Sequence, residues 1–204
     1  MSPKLSTLVQ EEKKEIIIEA AYQCIACKGF IGTSIDDIAA EAGGSKGAIY
    51  NYYNSKDEIF LTLVERKNRK AYLELVYRFG YIDTPEMKLR YLINTDFPLN
   101  ILGPNWKRVR QEFLLSAADR ECFQVFWRQE ESRFVDLIQD IYSQGQSIGL
   151  FSPFHSARPL AELFWISQNA LADDCFSVDE SAYYSRKRER ERLFIDNLLI
   201  KDYS

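Results

Sequence analysis

Apolar residues recur three and four positions apart through most of the chain, and no stretch sustains the every-other-residue alternation of a half-buried strand. The pattern predicts an all-α protein. A first helix over 11–28 carries Ile17, Ala20, Ala21, Cys24 and Ile25 on one face and stops at Gly29, where a residue without Cβ closes a helix at little cost. Phe30 is placed to fold back onto its last turn. Ser34 starts a short second helix, with Asp37 three residues on in the capping-box position; Ile38, Ala39 and Ala42 point inward, and Gly43 and Gly44 end it. Ser45 caps a third helix over 46–53, in which Ile49 and Tyr53 lie one turn apart and face the core. Asn54 and Ser55 break it, and Ser55 with Glu58 forms the capping box of a long fourth helix reaching about residue 79.

Further on, longer amphipathic helices are expected at about 85–97, 104–118, 120–147, 156–173 and 179–200, separated by breaks at 80–84, 98–103, 149–153 and 173–177. The count comes to about nine helices, divided into a compact domain over 1–56 and a bundle over 57–204. The run over 186–192, in which Arg alternates with Glu after Arg186 and Lys187, is expected to be a solvated helix face laced with ion pairs.

The segment from Thr33 to Lys56 has the parts a helix-turn-helix needs. Small Ala residues on the second helix let the third cross closely, glycine makes the turn, and the third helix keeps its apolar side chains on one side. Its other side offers Lys46, Gly47, Ala48, Tyr50, Asn51 and Tyr52 to a major groove. Ser45 and Ser34, at two helix starts, suit phosphates. Lys46 suits a phosphate or a guanine edge, and Gly47 and Ala48 keep the helix slim. Tyr50 suits a thymine methyl or the backbone, Asn51 adenine, and Tyr52 and Lys56 the phosphates at the rim.

Charge narrows this picture. The net charge of −4 argues against indiscriminate coating of nucleic acid. Up to Lys56 the lysines at 4, 13, 14, 28, 46 and 56 are outnumbered by acids at 11, 12, 15, 19, 36, 37 and 41, so DNA binding must depend on where the charges sit. With 46% hydrophobic and 27% charged residues the chain reads as an ordinary soluble protein. No apolar run has signal-peptide or membrane-spanning length, so a cytoplasmic protein with no membrane partner is expected.

Together these residues resemble the tetracycline-repressor (TetR) family of bacterial regulators. The resemblance rests on Gly29-Phe30, Thr33-Ser34, Asp37-Ile38-Ala39, Ala42-Gly43, Ser45-Lys46-Gly47, Ile49-Tyr50, Tyr52-Tyr53 and Ser55-Lys56, followed by Ile59-Phe60. It departs at Gly44, where an apolar residue is usual, at Ile25, where an aromatic is common, and at Asp36, acidic where some relatives approach a base. The resemblance implies Thr33, Ser34, Ser45, Lys46, Gly47, Ala48, Tyr50, Asn51, Tyr52 and Lys56 as the DNA-binding set. It also implies a homodimer on a near-palindromic double-stranded operator and a C-terminal domain that binds a small hydrophobic ligand.

The second half has no catalytic signature, no Gly-rich phosphate loop and no metal-spaced cluster, so neither enzymatic activity nor a cofactor or metal is expected. His155, the single histidine, sits in a break and reads as a loop residue. Aromatics are dense here, and Tyr91, Trp106, Phe113, Trp127, Phe134 and Trp165, with the polar Gln168 and Asn169, are candidates to line a ligand pocket. Leu160, Leu163, Phe164, Ser167 and Leu171, with Leu193, Phe194, Asn197 and Leu198, form faces which the resemblance places in a dimer seam. Cys24 and Cys27 form a Cys-x-x-Cys within a helix; inert packing is one reading, and control by thiol oxidation or by a protein partner in place of a ligand is the alternative.

Overall fold

The structure is a computed structural model that describes residues 3–95, 97–103, 105–174 and 180–200. Among these the chain is helical throughout, with an isolated antiparallel bridge between Phe151 and Leu199 as the strand-like pairing. The helices are α1 Pro3–Gly32, α2 Ile35–Glu41, α3 Lys46–Tyr50, α4 Lys56–Phe79, α5 Pro85–Asn94, α6 Leu99–Leu102, α7 Asn105–Ala117, α8 Glu121–Ser147, α9 Ala157–Asp174 and α10 Glu180–Glu191, followed by a π turn, Arg192–Asp196.

The chain divides into two compact units, one formed by Met1–Arg69 and Pro104–Trp127, the other by Lys70–Gly103 and Arg128–Ser204. In the first, the face expected of α1 is the buried one: Ile17, Ala20, Ala21, Cys24 and Ile25 are all at most 8% exposed. Burying such side chains is the main favourable term in holding helices together. Phe30 stacks on Phe60 with centroids 4.5 Å apart, Phe60 meets Phe113 edge-on at 5.2 Å, and Phe113 stacks on Phe123 at 5.0 Å. This cluster ties α1, α4, α7 and the start of α8 together.

In the second unit, Phe134 and Trp165 stack nearly parallel at 4.7 Å, and Phe97 leans on both. Gly145 lies against the buried ring of Phe151, which leaves no room for a side chain at that point of α8. Arg90 closes an ion-pair cluster with Glu86 at 2.9 Å and Asp196 at 2.5 Å.

Several expected boundaries move. Helix α1 begins at Pro3 rather than at 11, with proline in the first turn where a missing N–H costs nothing. It does lose helical geometry at Gly29 (φ 76°, ψ 167°), the residue expected to stop it. Helix α3 ends at Tyr50, three residues early, with Asn51 at its C-cap. The capping box at α4 is half formed: the Ser55 hydroxyl accepts from Glu58 N at 3.1 Å, but the Glu58 carboxylate reaches back to Asn54 N at 2.7 Å instead of to Ser55. Helix α5 stops at Asn94, and the expected break over 98–103 contains the short α6.

The last helix does not run to 200. Tyr142 donates its hydroxyl to Phe194 O at 3.1 Å, the chain leaves helical geometry through the π turn, and Ile200 N donates to Leu150 O at 3.0 Å. The charged run is not uniformly solvated either: Lys187 and Arg190 are each 7% exposed, the former donating to Asn94 O and the latter to Gln168 Oε1. Their spacing of three residues puts both on one inward face. The break expected at 173–177 lies partly outside the described residues, as does Cys175.

Candidate nucleic-acid interface

The turn between α1 and α2 sets up the interface. Ser34 caps α2 with a complete capping box: its hydroxyl accepts from Asp37 N at 3.1 Å, and the Asp37 carboxylate accepts from Ser34 N at 2.8 Å. The Ser34 hydroxyl also donates to that carboxylate at 2.6 Å, and Lys28 pairs with it from α1. The hydrogen bonds from Lys28 and Ser34 hold the Asp37 carboxyl well below the usual carboxylate range. Charge at the start of α2 is thereby locked to the end of α1.

After α2, Gly43 takes a left-handed conformation (φ 66°) and Gly44 N donates back to Ala39 O at 2.9 Å, which turns the chain sharply into α3. Ser45 caps α3 by accepting from Ala48 N at 3.2 Å. That contact uses the oxygen and leaves the hydroxyl proton for an outside acceptor. Ile49 is 2% exposed and Tyr53 4%, so the inward side of α3 is fixed by those two residues. Burial pushes the Tyr53 hydroxyl up to about 12, and it has no hydrogen-bond partner among the described residues.

On the outward side Ser45, Lys46, Gly47, Tyr50 and Asn51 are exposed, and Ala48 and Tyr52 are half-buried. The surface carries a short ion pair between neighbouring helices, Lys46 Nζ to Asp36 Oδ2 at 3.1 Å. Two members of the expected set point elsewhere. Thr33 is 1% exposed and donates its hydroxyl to Gly29 O at 2.7 Å. Lys56 spends its ammonium on Phe30 O at 2.7 Å and Thr33 O at 2.8 Å, above the Phe30 ring, and burial pulls its pKa down. Both hold the α1–α2 link in place.

The partner of Phe30 N is Glu112 on α7, whose carboxylate accepts at 2.8 Å and stands against Gly29. Nothing local announces it, since the two residues lie 82 positions apart. Cys24 is buried, and burial pushes its thiol up; Cys27 is exposed at the edge of an open groove with Lys28, Asp37 and Glu41.

The residues expected to line a ligand pocket fall into two groups. Trp106, Phe113 and Trp127 belong to the first unit, where Trp106 and Phe113 are buried and Trp127 packs on Phe113 at 5.5 Å. Tyr91, Phe134, Trp165, Gln168 and Asn169 belong to the second. There the Gln168 amide is committed to structure, donating to Leu92 O and Phe97 O at 2.9 Å each and accepting from Arg190 at 2.6 Å. Tyr91 meets Phe79 edge-on, Asn169 is buried near Glu131, and the buried Trp165 indole N–H has no hydrogen-bond partner among the described residues. Glu130, 3% exposed and one turn before Phe134, is a buried acid that the aromatic pattern passed over.

Residues 17–63 match the family model described as bacterial regulatory proteins, tetR family. The chain is 27% identical to the uncharacterized HTH-type transcriptional regulator YfiR of Bacillus subtilis, over 99% of both chains. A transcriptional regulator from Saccharomonospora viridis, crystallised in complex with choline, superposes with a TM-score of 0.81 at 20% identity, over 94% of this chain and 100% of that one. FadR from Bacillus subtilis, crystallised with stearoyl-CoA, superposes at 0.78 and 19% identity, over 90% of this chain and 98% of that one.

Proposed function

We propose that this chain, a member of the tetR family of bacterial regulatory proteins, is a homodimeric repressor that a small hydrophobic ligand releases from its operator. The observation that carries the DNA contact is the two-sidedness of α3. Ile49 is buried, while Lys46, Tyr50 and Asn51 are exposed on the opposite side. A helix held from behind in this way enters a major groove as a rigid edge. Gly47 and Ala48 keep that edge narrow, Tyr50 and Asn51 meet bases, and Ser45 and Tyr52 meet phosphates. Ser34, Thr33 and Lys56 shape the link that orients it. Residues 1–56 then serve as the DNA-binding domain and 57–204 as the ligand-binding and dimerisation domain.

Dimerisation is supported by apolar side chains left in solvent on α9, where Leu163 is 57% and Ile166 64% exposed. Two-fold pairing through α9 and the chain after α10 sets two recognition helices about 34–36 Å apart, one per major-groove turn, hence a near-palindromic operator. Ligand binding is supported by the aromatic clusters around Phe113 and around Phe134 and Trp165, and by two structural neighbours whose crystals hold choline and stearoyl-CoA. No helix among the described residues is long and apolar enough to cross a membrane.

A gel-shift titration on operator DNA recovered from a genomic library tests the reading. Lys46→Ala and Tyr50→Ala are expected to abolish the shift with an unchanged circular dichroism spectrum. Unchanged titrations for both variants would remove the assignment. A monomer at micromolar concentration in sedimentation would remove the dimer.

A further inference from the structure

Asp36 is an acid on the surface that would meet DNA, where a bare carboxylate would repel phosphate. It is 67% exposed at its side chain and pairs with Lys46, itself 52% exposed, at 3.1 Å. An ion pair this exposed contributes little to the fold. Its neighbour on α2, Asp37, is by contrast fully engaged by Ser34 and Lys28. Asp36 and Lys46 therefore form a two-residue unit, one member on each helix of the helix-turn-helix, that offers donor protons on one side and acceptor lone pairs on the other.

The major groove presents a matching edge. Guanine shows two adjacent acceptors, N7 and O6, and its paired cytosine shows the N4 amino donor beside them. An ammonium with protons to spare serves both guanine acceptors, and a carboxylate takes the cytosine amino group. An adenine·thymine pair places its donor between two acceptors, so the ammonium meets one acceptor and the carboxylate faces the other. We infer that Asp36 and Lys46 together read one guanine·cytosine pair in each half of the operator, Lys46 donating to guanine and Asp36 accepting from cytosine. This inference rests on the DNA-binding reading given above. It assigns Asp36 a role in choosing sequence rather than in raising affinity.

The test is selection of bound duplexes from a randomised library by the full-length wild type, Asp36→Ala and Asp36→Asn. In the wild-type pool one position of each half-site is expected to favour guanine·cytosine by about tenfold or more, the discrimination usual for a paired base contact. In the Asp36→Ala pool the preference at that position alone weakens to what Lys46 reads unaided, and in the Asp36→Asn pool, whose amide can donate as well as accept, the position also admits adenine·thymine. Titration of wild type against duplexes carrying each of the four pairs there gives the same ranking.

If both variants keep every wild-type preference, the inference is overturned while DNA binding stands. The same follows if the position that weakens is adenine·thymine, or if both variants bind no DNA at all, since Asp36 then does more than read one pair. A wild type that enriches no sequence overturns the DNA-binding reading itself and this inference with it.

Discussion

Glu112 on α7 accepts a hydrogen bond from the backbone N–H of Phe30 at 2.8 Å, and its oxygens lie so near Gly29 that a Cβ there would stand 2.9 Å from one of them. The amide follows the non-helical residue, so no helical carbonyl can take it. Glu112→Ala leaves it without an acceptor in a part-buried setting, a loss of about 1–3 kcal/mol. Chemical unfolding should show a lower midpoint with an unchanged slope. Gly29→Ala, which adds a side chain at positive φ against the same carboxylate, should be destabilised too, and Glu112→Ala should relieve part of that second effect.

Gly145 gives a prediction that opposes helix propensity. Alanine in mid-helix is ordinarily favoured over glycine by up to about 1 kcal/mol. At this position the new Cβ would lie inside contact distance of the Phe151 ring, which is 1% exposed and has nowhere to go. Overpacking of that kind costs about 1–3 kcal/mol, so sterics win. Gly145→Ala should lower the melting temperature, and Gly145→Ala combined with Phe151→Leu should melt above the single variant.

Acid should loosen the start of α2. The Asp37 carboxyl titrates below its ordinary 3.8 because Lys28 and Ser34 stabilise the charged form. A depressed pKa contributes stability that is present above the ordinary value and is lost as pH falls toward the depressed one. Melting temperatures followed from about pH 6 down to about pH 2 should fall less steeply for Asp37→Asn than for wild type. Parallel curves would show that the pair contributes nothing in the folded state.

Tyr142→Phe removes the hydroxyl that Phe194 O accepts and leaves the ring in place. A net loss of about 0.5–1.5 kcal/mol is expected. Amide exchange locates it: the N–H groups of Ser152 and Ile200, which donate to Leu198 O and Leu150 O, should exchange faster, while amides in the centre of α8 should not.

Where the chain's own neighbourhood decides structure, the residues announced it. Ser34 with Asp37, and Ser45 ahead of Ala48, are caps closed within three positions, and the buried face of α1 follows directly from spacing. The end of α10 was hidden because Tyr142, 52 residues before Phe194, decides it. Glu112 was hidden for the same reason. Thr33 and Lys56 looked like DNA contacts from their places in the pattern, yet backbone carbonyls exposed by the kink at Gly29 claim both. Of the aromatic pocket candidates, Trp106, Phe113, Phe134 and Trp165 are buried. Gln168 could not be placed in this way, since a polar side chain among aromatics proved to be a strut between two backbone carbonyls, one in the last turn of α5, and an arginine.

The few residues from Phe30 to Thr33 are gripped by opposite charges, Glu112 on an amide and Lys56 on two carbonyls. Such a clasp has no slack: the strand of backbone cannot slip outward without baring a donor and two acceptors at once. The tilt of the reading edge is thus inherited from α4 and α7, which carry the clasp, much as a chisel's angle is set by its handle.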